Sequence, residues 1–240
     1  MRNSDARAPR SVLVTVLIAV VVTVGVLITV VVLRARADVP VADAPGADQA
    51  AGIAPAKQNC GQVPCVQLAA ETAGGMEVAL LAAPDGSSGR VRFGPAAVNT
   101  SIETSISAIG ARLGPDSLRC REGVIVACLV RGTGDGGTMG EVLVYRGDSW
   151  EATEKPYFSD ANNISLSDAV GDSSPEVIVV RHECPGRLPG SASCAAAPVL
   201  ATVFDIRGAQ LGCTKKYTSP TQLRGWPDVK LVKSDVRACP

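Results

Sequence analysis

Eight cysteines, a single histidine and a scatter of acids are the side chains here that could do chemistry. Cys60, Cys65, Cys120, Cys128, Cys184, Cys194, Cys213 and Cys239 form an even set. In an oxidising compartment such a set closes as disulfides and is lost as nucleophiles or zinc ligands. Cys60-Gly-Gln-Val-Pro-Cys65 is wider than the redox C-x-x-C and reads as a short staple. Sequence-neighbour pairing is the expectation: Cys60–Cys65, Cys120–Cys128, Cys184–Cys194 and Cys213–Cys239. The second pair conflicts with a strand drawn over 123–130. A tight turn at 121–123 would leave Cys128 roughly 13 Å along that strand, and a bridge needs Cα atoms within about 7 Å.

His182 is the only histidine, so any Ser-His-Asp or Cys-His site would have to use it. Neither a G-x-S-x-G elbow nor an H-E-x-x-H motif accompanies it, and no catalytic residue is assigned. Gly132-Thr133-Gly134-Asp135-Gly136-Gly137 matches G-x-G-x-x-G. That pattern cradles phosphate only when a helix follows the loop. A strand signal follows here, so the segment reads as a flexible inter-strand loop. Paired carboxylates for glycoside hydrolysis remain an alternative, since any two of many acids could meet.

Asp168 to Val180 reads DAVGDSSPEVIVV. This stretch resembles the FG-GAP or VCBS blade motif of integrin-like propellers, in which a calcium loop precedes a strand. The resemblance puts Asp168, Asp172 and Glu176 at the first, fifth and ninth loop positions and implies a calcium site there. Val170 fills the third position without a side-chain oxygen, and Ser173 stands where the motif has Gly. The competing reading is a tight turn in which Asp168 and Asp172 bind backbone amides.

The elements that position these residues are mostly strands. Val- and Ile-rich runs bounded by Gly, Pro, Asp or Ser cover 63–70, 76–83, 89–93, 123–130, 140–145, 164–168, 176–181 and 198–206. Pro84-Asp85-Gly86 supplies a turn. Ile102, Ile106, Ile109 and Leu113 make one helical stripe. Thr100 and Glu103 form a capping box, and Gly114-Pro115 a stop. The spacing thus predicts one helix near 101–113. A loose repeat relates 118–153 to 164–214, which suggests four-stranded units like propeller blades. So few units cannot close a ring. The expected fold is mainly β (α+β), with antiparallel sheets in a blade-like stack or a sandwich.

Val12–Leu33 carries no charge and as a helix would span roughly 33 Å, enough to cross a bilayer. A cleaved signal peptide is the rival, but the run is long for one and ends in Arg34 and Arg36. All eight cysteines follow this run. The reading is a cytoplasmic tail at 1–10, a transmembrane anchor at 11–33, a flexible Ala/Pro/Gly/Asp linker at 34–58, and a disulfide-stapled extracytoplasmic domain at 59–240. Nucleic acid is excluded as a partner by compartment and by a formal net charge of zero. The C-terminal end is basic, with Lys215, Lys216, Arg224, Lys230, Lys233 and Arg237 against Asp228 and Asp235. Ala, Val, Gly and Arg dominate in the manner of a GC-rich bacterial genome. The functional expectation is a membrane-anchored binding or scaffolding module of the bacterial envelope, contacting a protein or glycan and needing no cofactor beyond the calcium the blade motif implies. The alternatives are an envelope hydrolase, or an accessory or sensory subunit of a membrane complex.

Overall fold

The computed structural model describes residues 58–95, 100–184, 190 and 194–240. The apolar run 12–33 and the linker through 57 lie outside the described residues. Among those described, no helix is long and apolar enough to cross a membrane.

The chain folds as three consecutive antiparallel meanders. The first sheet holds β3 (Val66–Ala73), β4 (Met76–Ala82), β5 (Gly89–Phe93) and β6 (Ser101–Glu103) in sequence order. The second holds β7 (Leu118–Arg121), β8 (Val126–Gly134), β9 (Gly137–Arg146) and β10 (Ser149–Ala152), with β11 (Tyr157–Ser159) also pairing β9. The third holds β12 (Ile164–Ser167), β13 (Glu176–His182), β14 (Val199–Phe204) and β15 (Gln210–Cys213). A small hairpin, β1 (Asn59–Cys60) with β2 (Val63–Pro64), precedes them.

Strand alternation explains how the sheets stack. Successive residues point to opposite faces, and both faces of the central strands are apolar. Val78, Leu80 and Ala82 of β4 share a core with Leu118, Cys128, Val130 and Leu143 of the second sheet. Ala127, Leu129, Val142 and Val144 leave the other face of the second sheet and meet Ile164, Val177 and Val179 of the third. The outer faces are covered too. Ala79, Leu81 and Ala83 pack under Cys60 and Cys65. Ile178, Val180, Val199, Ala201 and Val203 pack under Leu223, Val229 and Leu231 of the C-terminal segment.

The helix expected over 101–113 is reduced to one turn, α1 (Ser105–Ala108). Ile102 lies instead on β6, opposite Val91. Glu103 pairs with Arg90 across the strands at 2.8 Å and caps nothing. Ile106 is fully buried, whereas Ile109 is exposed. After Gly110 (φ 98°) the chain runs extended, and the Leu113 amide donates to the Gly86 carbonyl. A strand, a turn and an extended segment thus bury Ile106 and Leu113 and partly bury Ile102 without a continuous helix.

The Gly132–Gly137 stretch is a correction of the same kind. It is no flexible loop: β8 runs to Gly134, β9 starts at Gly137, and Asp135-Gly136 turns between them with Gly136 at φ 79°. A Cβ on Gly137 would collide with the Ser159 carbonyl, so glycine here lets β11 close on β9.

Each cysteine joins its expected neighbour. Cα separations are 5.0 Å for Cys60–Cys65, 4.0 Å for Cys120–Cys128, 5.7 Å for Cys184–Cys194 and 4.9 Å for Cys213–Cys239. The conflict over Cys128 disappears because the loop before β8 is wider than drawn. The strand starts at Val126, and Cys120 faces Cys128 directly across the ladder.

Candidate functional site

Alternation that fills the core between the second and third sheets also carries charge toward it. Val142 and Val144 of β9 are followed on that face by Arg146, and Val177 and Val179 of β13 by Arg181. Two guanidinium groups cannot be packed into an apolar layer. The sheets part beyond Val144 and Ile206, leaving a cleft of about 770 Å³. This lies within the ~300–1,000 Å³ span of small-molecule sites.

The cleft gathers aromatic residues that are otherwise scarce. The chain has only 2 Trp, 3 Tyr and 3 Phe, yet Tyr157, Phe158 and Phe204 all line this one space. Tyr157 and Phe204 meet at a centroid distance of 5.4 Å and an angle of 54°, forming a corner. Arg181 lies over Phe204 at 5.9 Å, within cation–π range. Burial raises the Tyr157 phenol above its usual value, and the negative charge of Asp205 adds to this.

The rim is polar. Arg146, Lys155 and Arg207 stand with Glu151, Thr153 and Glu154. Arg207 is engaged with Asp205 at 3.3 Å. Burial pushes the Asp205 carboxyl up, but the Ala209 and Arg207 amides and the Arg207 guanidinium together bring it below its usual value. Arg146, Lys155 and Arg181 make no ion pair with any described residue.

Asp168, Asp172 and Glu176 do converge, each offering an oxygen within 4.8 Å of the others. Their oxygens are already engaged, in the manner of the tight-turn reading. Asp168 accepts from the amides of Gly171 (2.7 Å), Asp172 (3.1 Å) and Ser173 (3.1 Å). Asp172 accepts from Ser174 at 2.8 Å. Glu176 accepts from Ala169 at 2.6 Å and Val170 at 3.3 Å. Ser173 holds a left-handed φ of 65°, the conformation for which the calcium motif uses Gly. Burial raises the Glu176 carboxyl, its two amide bonds oppose this, and Asp172 and Asp168 push it further up.

A second buried acid escaped the sequence reading. Glu141 of β9 is 2% exposed and accepts from the Ser105 amide at 2.7 Å and from the Ser105 hydroxyl. It caps α1 from another element. Burial raises its carboxyl against those hydrogen bonds. Glu141 and Glu176 serve different partners, and neither lines the cleft.

His182 is tied to structure. Its Nδ1 lies 3.4 Å from Asp160 Oδ1, with both side chains largely buried. Asp160 also accepts the His182 and Gly190 amides. The nearby cysteine sulfurs are in a disulfide, so no nucleophile partners this histidine among the described residues.

No family model, curated protein or solved structure matches the chain.

Proposed function

We propose that this chain is an extracytoplasmic binding module on a membrane tether, and that the cleft between the second and third sheets is its binding site. The cleft's lining carries this reading: an aromatic corner beside Arg181 and Arg146, cationic groups with no acidic partner among the described residues. Arg181 is half-buried, and an acidic group on a ligand would supply the partner it lacks. Four neighbour disulfides with no free cysteine support an oxidising compartment. The apolar run 12–33 supports the tether. The three stacked meanders are read as blade-like units in an open stack, in keeping with the FG-GAP resemblance.

A topology reporter tests the location. Alkaline phosphatase fused after Pro240 is expected to be active in a bacterial host, and maleimide labelling of denatured protein is expected only after reduction. An inactive phosphatase, or thiols that label without reduction, would refute the extracytoplasmic assignment.

A further inference from the structure

Ligand class can be read from what the cleft offers and what it withholds. Tyr157 and Phe204 set two ring faces at an angle, which suits the C–H face of a ring-shaped ligand. Arg181 lies directly above one of these faces. Its planar fork is matched to a carboxylate or phosphate. Arg146 leaves the second sheet on the same inner face, so a second cation lines the cleft.

The acids of the rim narrow the choice. Glu151 and Glu154 would repel a polyanion, but they can accept hydroxyl hydrogen bonds. A purely aromatic ligand would leave those groups unserved. A ring with hydroxyls and one acidic group serves both the arginines and these acids.

From this we infer that the cleft binds a saccharide whose ring carries a single carboxylate or phosphate, with the ring against Tyr157 and Phe204 and the acid on Arg181 and Arg146. The inference rests on the cleft's being the binding site, and it stands apart from the compartment assigned above.

The test is calorimetric titration of the full chain in detergent with galacturonic acid, glucose 6-phosphate and neutral maltotriose. At least one acidic probe is expected to bind about tenfold or more tighter than maltotriose, and to weaken as salt is raised. Whichever acidic probe binds identifies the acid as carboxylate or phosphate. Arg181→Gln is expected to lose about tenfold in affinity for that probe, and Arg146→Gln, an exposed change that leaves the fold intact, a smaller factor. Equal binding of maltotriose, no binding of any probe, or unchanged acidic-probe affinity in Arg146→Gln and in folded Arg181→Gln would overturn the proposal. The reporter fusion reads location independently, so failure of one assignment does not mimic failure of the other.

Discussion

Burial at single residues gives this molecule a specific dependence on pH. Glu141 and Glu176 are each 2% exposed and have raised carboxyls. In the pH range above 4.5, their ordinary value, the unfolded chain releases protons that the folded chain retains. The stability linked to these groups is therefore complete below that pH and is lost as pH rises through the raised values. Urea melts of Glu176→Gln are expected to show a shallower decline toward neutrality than those of the parent, because the amide keeps an oxygen for the Ala169 and Val170 donors. An unchanged slope would place the effect elsewhere. The same loop makes a second prediction. Ca²⁺ requires six to eight oxygens, Val170 supplies none from its side chain, and Asp168 is occupied by three amides. Millimolar calcium is expected to leave the melting temperature unchanged, and a rise of several degrees would show that the carboxylates exchange their amides for the ion. The acidic loop was legible because its residues are adjacent in sequence. Arg146 and Arg181 could have been found too, since Val142-x-Val144-x-Arg146 and Val177-x-Val179-x-Arg181 put an arginine on an inward face. That signal means nothing until two such strands are known to face each other.

At the level of elements, the disulfides and the sheets reinforce each other. Cys213 ends β15 and holds Cys239, so the intervening segment lies over the outer face of the third sheet with Leu223, Val229 and Leu231 beneath it. Backbone bonds between Cys213 and Arg237 support the same closure. Replacing both cysteines by serine is expected to cost about 3–4 kcal/mol, mainly through the freed entropy of a loop that long. Chemical denaturation would check this, and increased dye binding to the uncovered face would accompany it. The strands of β4, β5, β13 and β14 were readable from Val and Ile runs with turn residues at each end. Elements that failed the reading were those whose apolar spacing has two solutions. The stripe of Ile102, Ile106, Ile109 and Leu113 fits a helix, but pairing of Ile102 with Val91 and of Arg112 with Thr133 satisfies the backbone better. β10, β11 and β15 are short edge strands whose partners, not their composition, make them strands.

For the molecule as a whole, the second sheet is the keystone, because both of its faces are interior. Leu129, fully buried against the third sheet, is expected to cost about 2–5 kcal/mol when changed to alanine. The loss should appear in a single cooperative transition if the stack melts as one body. Arg131 adds a polar tie, donating to the Ile164 carbonyl at 3.0 Å across the same interface. The repeat seen between 118–153 and 164–214 corresponds to two of the three meanders. The first meander lies outside that repeat, and its fourth strand, β6, carries Ile102 of the helical stripe.

Every meander is drawn from one contiguous stretch of chain, and among the described residues each shares a core with its sequence neighbour. A polypeptide emerging from its N-terminal end can therefore complete one layer before the next has been delivered. Segment 214–240, which follows the meanders, covers the final layer. Few distant loops need to close before native contacts begin to hold.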